Sequence, residues 1–256
     1  MSSTRLTTEA PDAGAAAAPV LTEQTRQECR EIIARYPQPR SALLPMLHLV
    51  QSVQGYVSPE GITMCAEELN LTKAEVGAVA TFYTMYRRKP AGTYHVGVCT
   101  NTLCAVLGGD EILARVSEHL GVHHNETTDD GLISLEHIEC NAACDYAPVV
   151  MVNWEFYDGQ TPGSAVELVD ACRAGSPPPP TRGPSSLCTF KQASRVLAGF
   201  PDGRGHEGVQ AGPPTLFGLE LAIERGDVAP PYPIERPQPG TTDRTSPAAR
   251  TSKDPA

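Results

Sequence analysis

Four of the eight cysteines fall into two close pairs, and no other residues in the chain are better spaced to do chemistry. Cys99-Thr-Asn-Thr-Leu-Cys104 leaves four residues between its thiols, and Cys140-Asn-Ala-Ala-Cys144 leaves three. Four thiolates, two for each iron, are the donor set of a [2Fe–2S] core, which selects soft sulfur ligands. The residues between the thiols are small or polar, so the loops can turn backbone N–H groups toward the sulfurs, stabilising a core whose total charge is negative once its four thiolates are counted. On spacing alone a structural zinc site, and with it a zinc-stapled scaffold without redox work, stays open. Zinc mostly staples small domains that lack a core, whereas the strands around these thiols are amply apolar. Cys29, Cys65, Cys172 and Cys188 have no cysteine close by in sequence, and Cys29 and Cys65 read as small core hydrophobes in helices.

Each pair must be carried by an element that ends where the pair begins. Tyr94–Val98 is strand-like, and Leu107–Leu120 is an amphipathic helix closed by Gly121. Ile133–Ile138 alternates, Pro148–Val152 is a buried-strand run, Trp154–Tyr157 is an edge strand, and a last helix runs from Thr161–Pro162 to Gly175. A helical crossover between the first two strands makes them parallel, so both cysteine loops leave the same end of one sheet. The order β-α-β-β-β-α over residues 90–175 is that of a thioredoxin-like layer in an α/β fold.

Residues 21–89 carry a helical pattern instead. Ile32 and Ile33 face inward on a helix that stops before Pro37, and Leu43, Leu44, Leu47 and Val50 recur on a second ending near Gly55. Ser58–Pro59 starts a third, and Thr72-Lys-Ala-Glu75 is a capping box for a fourth through Val76, Val79, Phe82 and Tyr83. The aromatic strip of Phe82, Tyr83 and Tyr86 reads as core packing. These four helices form a small bundle. Residues 1–20 read as a disordered lead-in. Residues 176–256 hold most of the 24 prolines and read as a largely disordered tail, with two islands, Leu187–Leu197 and Thr215–Ile223, apolar enough to dock as short helices.

Composition excludes some classes. Thirty acidic side chains against twenty basic ones give a net charge of −10, which argues against nucleic acid. No apolar run approaches the roughly 20 residues that cross a bilayer, and no secretory leader is evident, so the expectation is a cytoplasmic chain without direct membrane insertion. Gly203-Arg-Gly-His-Glu-Gly208 matches a dinucleotide fingerprint in letters only, since no strand precedes it and no helix follows it. His119, His123 and His124 read as a solvated helix end, and no residue is assigned a catalytic role.

Three segments together carry a family resemblance. Val98-Cys-Thr-Asn-Thr-Leu-Cys104, Thr128-Asp-Asp-Gly131 and Glu139-Cys-Asn-Ala-Ala-Cys-Asp-Tyr-Ala-Pro148 resemble the thioredoxin-like [2Fe–2S] ferredoxin that is the E subunit of NADH-quinone oxidoreductase. Leu47-His-Leu-Val-Gln-Ser-Val-Gln-Gly-Tyr56 and Val79-Ala-Thr-Phe-Tyr83 are similar to that family's helical bundle. The resemblance implies one [2Fe–2S] cluster on Cys99, Cys104, Cys140 and Cys144. It implies electron exchange with the FMN of an NADH-oxidising partner subunit, which alone would hold FMN and NAD. Further iron–sulfur subunits would be partners, in an arm peripheral to the inner face of the cell membrane. The equivalent subunit of an NAD-linked formate dehydrogenase or hydrogenase is the alternative. The family often has a glycine within the second cysteine loop, where this chain has Asn141-Ala-Ala143; alanine in left-handed backbone there would be costly, whereas asparagine tolerates it.

Overall fold

Local signals set the first four helices: α1 (Glu23–Ile33), α2 (Leu43–Gln54), α3 (Pro59–Leu69) and α4 (Lys73–Phe82). The structure is a computed structural model and describes residues 20–208 and 211–229. Ser58 caps α3 by accepting the Gly61 N–H at 2.9 Å. Thr72 and Glu75 exchange bonds of 3.2 and 2.9 Å at the start of α4. Ile32, Met46, Leu47, Val50, Cys65 and Val76 form the bundle core. Leu44 lies on the outer side of α2, and the aromatic strip does not face inward as expected. α4 stops at Phe82 and Tyr83 turns extended, which leaves Phe82 77% exposed; Tyr86 alone is buried, its hydroxyl donating to the Leu44 carbonyl at 2.9 Å.

The second layer is a five-stranded sheet in the order β2-β3-β1-β4-β5, built from β1 (Tyr94–Cys99), β2 (Glu126–Thr127), β3 (Ile133–Ile138), β4 (Val150–Val152) and β5 (Glu155–Tyr157). β1 and β3 are parallel, in register from Tyr94 opposite Ile133 to Cys99 opposite Ile138. A short helix the sequence does not announce, α5 (Thr102–Val106), begins in the first cysteine loop, and the expected Leu107–Leu120 helix follows it as α6 (Gly109–Leu120). α7 (Pro162–Arg173) follows β5. Because side chains alternate along a strand, the sheet has two unlike faces. Val96, Val98, Ile133, Leu135, Val150 and Val152 pack with Ile112, Val116, Leu168 and Val169 of α6 and α7. The opposite face carries His95, Gly97, Cys99, Glu136, Ile138 and Met151.

Beyond Gly175 the proline-rich stretch is a strap over the described residues 177–208, where composition predicts a largely disordered tail. The Tyr157 hydroxyl donates to the Pro178 carbonyl at 2.8 Å, and the Thr181 N–H donates to Phe156 at 2.9 Å. The first apolar island forms α8 (Phe190–Leu197), which lies along α2. Phe190, 1% exposed, sets its ring 5.2 Å from Trp154 and 5.9 Å from His95. Arg195 grips both oxygens of Glu28 at 2.9 and 3.1 Å, and Ala198 completes the bundle core. Ordering the strap is offset by these contacts and by prolines that have little backbone freedom to lose.

The second island forms α9 (Pro213–Arg225). Leu216 onward belongs to a separate unit, in which Phe217, Leu219 and Ile223 are exposed. Residues 1–19 and 230–256, with their expected disorder, lie outside the described residues.

Candidate metal centre

Cys99 is the last residue of β1, and Cys140 stands two residues past the end of the parallel strand β3. Parallel pairing therefore delivers both loops to one end of the sheet, as the helical crossover between the strands predicts. Cys104 lies within α5 and Cys144 opens a short helical turn. Cys99 and Cys104 are buried among Ala143, Val149 and Met151, whereas Cys140 and Cys144 are exposed. The Cys140 and Cys144 sulfurs are 3.7 Å apart.

The chain aims N–H groups at the sulfurs. The Ala142 N–H donates to Cys140 Sγ at 3.4 Å, and the Val149 backbone is hydrogen-bonded to Cys104. In the first loop the donor is a side chain instead: the Asn101 amide lies 3.9 Å from Cys99 Sγ and donates to the Ile138 carbonyl at 3.1 Å, tying the two loops together. In the second loop the left-handed residue is Ala142, at φ +55°, and not the more tolerant Asn141.

Burial, with the neighbouring Cys99 and Cys144 thiols, pushes the Cys104 thiol up to about 11. Cys144 is raised by Cys140 first, and by Cys99 and Asp145 more weakly. Cys104 and Cys144 thus feel thiols of both pairs, and the two resist ionisation in part because their neighbours would be anions too. A cationic core relieves that repulsion, so the donor set fits an iron–sulfur group. Among the described residues, no three His, Cys, Asp or Glu side chains gather as ligands of a single ion.

A family model described as thioredoxin-like [2Fe-2S] ferredoxin matches residues 29–173. The chain belongs to this family. The E subunit of NADH-quinone oxidoreductase from Mycobacterium tuberculosis (strain ATCC 25618 / H37Rv) is 64% identical over 208 residues, covering 80% of this chain and 82% of the relative. The E subunit from Rickettsia bellii is 40% identical over 146 residues, 56% of this chain and 87% of that one. An NAD+-reducing [NiFe]-hydrogenase in the air-oxidised state overlays with a TM-score of 0.48 and 18% identity, over 53% of this chain and 23% of that chain. Strap and α8 lie beyond the part that this ferredoxin family model describes.

The remaining cysteines, Cys29, Cys65, Cys172 and Cys188, are buried, and burial raises each thiol. The histidines His119, His123 and His124 do not gather: His119 pairs with Asp170 at 2.7 Å, and His124 accepts the His137 N–H at 3.0 Å. Sequence reasoning passed over one charged group near the site. His95, Glu136 and Arg87 form a buried chain of contacts at 2.6 and 3.1 Å, on the sheet face that carries Cys99. The signal available was two ionisable residues placed inside strands otherwise built for a core.

Proposed function

We propose that Cys99, Cys104, Cys140 and Cys144 together hold one [2Fe–2S] cluster, and that the chain is the electron-carrying subunit of an NADH-quinone oxidoreductase. The observation that carries this reading is the delivery of two thiol pairs to one sheet end by parallel strands, in a chain 64% identical to such a subunit. The cluster supplies a site that accepts and returns one electron at a time. The protein holds it from both sides: Ala142, Val149 and Asn101 direct N–H groups at the sulfurs, and Met151, Val149 and Ala143 keep water from the inner pair.

The electron partner in this reading is the FMN of an NADH-oxidising subunit, with further iron–sulfur subunits beyond it. Leu103, Val106 and Leu107 form an exposed apolar face on and just after α5, beside Cys104, of the kind that such a partner covers. The same reading puts the chain in a peripheral arm on the cytoplasmic side of the membrane. No described helix is long and apolar enough to cross a membrane.

Iron and acid-labile sulfide analysis of the anaerobically purified chain tests the cluster. Two of each per chain, with a one-electron paramagnetic signal on reduction, are expected; stoichiometric zinc without sulfide would overturn the reading. Serine at any of the four cysteines should remove or destabilise the cluster, while Cys29→Ser should leave it. NADH oxidation should be absent from the lone chain even with excess artificial acceptor, and should appear when the flavin subunit is added.

A further inference from the structure

The sheet face that presents Cys99 also buries an ionisable pair. His95 of β1 stands four residues before Cys99, about 13 Å along the strand at 3.3 Å per residue, and Glu136 of β3 stands four residues before Cys140. His95 Nε2 and Glu136 Oε2 are 2.6 Å apart, and Arg87 holds the other carboxylate oxygen at 3.1 Å. His95 and Arg87 together keep Glu136 ionised, below the usual carboxylate range despite its burial. Nε2 must therefore carry the hydrogen and donate it. The other ring nitrogen, Nδ1, is buried without a hydrogen-bond partner. An imidazole with one bare buried nitrogen has a single place for an added proton.

A cavity of about 90 Å³ is shared by this pair and the second cysteine loop, its lining including His95, Glu136 and Trp154 together with Glu139 and Asn141. That is room for a few waters at about 30 Å³ each. Gly97, between His95 and Cys99, lets the Ile138 side chain lie close over the strand, since a β-carbon there would come within 2.5 Å of it.

We infer that His95, backed by Glu136, takes up a proton when the neighbouring cluster accepts an electron. This rests on the cluster reading above. The step adds one electron from a reductant, the partner's reduced flavin or dithionite, to the cluster, and one proton from solvent to His95 Nδ1; the product is the reduced cluster and an imidazolium. Charge arriving on the same sheet face acts on His95 through the protein and at most a few enclosed waters, away from bulk solvent, so it is weakly screened. Burial keeps His95 neutral in the oxidised state, which is the condition for a proton to be gained.

The other charges facing the pair are few. Arg87, after α4, belongs to Glu136 already, and His124 acts on that carboxylate from near β2. His48 of α2 meets the far side of Trp154 and is pushed down to about 4 by burial, so it stays neutral. Glu139 also lines the cavity, three residues on from Glu136, and α8 contributes the Phe190 ring. Lys191 of α8 is turned to the Val53 carbonyl.

The cluster potential, measured by spectroelectrochemical titration of the reconstituted chain from about pH 5 to pH 8, tests the inference. The potential should fall as pH rises, toward the one-proton limit of about 59 mV per pH unit, a tenfold change for one electron. Reduction in weakly buffered solution should consume protons from an indicator dye. His95→Gln should flatten the slope, and Glu136→Gln should move it to lower pH, because the imidazolium loses its carboxylate. A flat potential with no dye response in the unaltered protein would overturn the inference, as would an unchanged slope in His95→Gln with full iron and sulfide. If His95→Gln fails to fold, the dye measurement on the unaltered chain decides. Absence of iron and sulfide altogether would bring down the cluster reading, and this inference with it.

Discussion

Gly109 faces the carbonyl of Cys99 so closely that a β-carbon on it would lie 2.4 Å from that oxygen and 2.9 Å from the Cys104 carbonyl. The start of α6 is thereby pressed onto the backbone of the first cysteine loop. Both obstacles are main-chain atoms at the site itself, so they cannot swing aside.

Gly109→Ala is therefore expected to destabilise the protein by about 1–3 kcal/mol, the usual range for overpacking, and to loosen the cluster. Thermal unfolding and iron retained after gel filtration check this. An unchanged midpoint with full iron would show that α6 can withdraw at no cost.

The opposite change should help in the second loop. Ala142 holds a left-handed backbone that costs an L-residue with a β-carbon about 1 kcal/mol relative to glycine. Ala142→Gly should stabilise by roughly that amount, a rise of about 2–4 °C in Tm. Ala142→Val should lower it. A melting series on the cluster-bearing protein separates the outcomes.

Phe190 anchors the strap between the bundle and the sheet. Phe190→Ala should cost about 3–5 kcal/mol, as for other buried aromatic truncations. Arg195→Ala should cost no more than about 1 kcal/mol, because its pair with Glu28 is half open to water. Denaturant midpoints measured side by side give the ranking, and equal small effects would show that the strap is not fixed by its aromatic anchor.

Acid should unlatch the turn between β2 and β3. Asp130 accepts bonds from Thr128 and the Leu132 N–H and pairs with Arg173 of α7, and these hold its carboxyl down to about 2 from an ordinary 3.8. A folded pKa below the unfolded one means that this stability is fully present above pH 3.8 and is lost as pH falls toward about 2. Tm should drop across that window, and Asp130→Asn should flatten part of the drop. A parallel fall in both proteins would rule the latch out.

Features legible in the sequence are those whose cause is local. The Thr72–Glu75 box, the Ser58 cap and the left-handed Gly55 need only a few residues to declare themselves, and all are present. The cysteine pairs were readable because a strand end and a short loop fix each one. Features decided by distant partners were not. α5 forms inside a loop that reads as small and polar, and Phe82 reads as core although the chain turns away beside it. The site on α2 that receives α8 is specified by residues more than a hundred positions earlier, so no window of sequence contains both halves. His95 and Glu136 look like ordinary polar positions until the parallel register brings their strands together.

The contacts of α8 also impose a schedule. Arg195 reaches Glu28 across 167 residues, and Ser194 reaches Gln51 across 143. During synthesis at about 5–20 residues per second, α1 and α2 leave the ribosome on the order of ten seconds before the helix that covers them. For that interval the groove on α2 stays uncovered, while the intervening sheet has time to form first. The bundle, though encoded first, is finished last, and a nascent chain halted before Phe190 would display to chaperones the apolar surface that the complete protein hides.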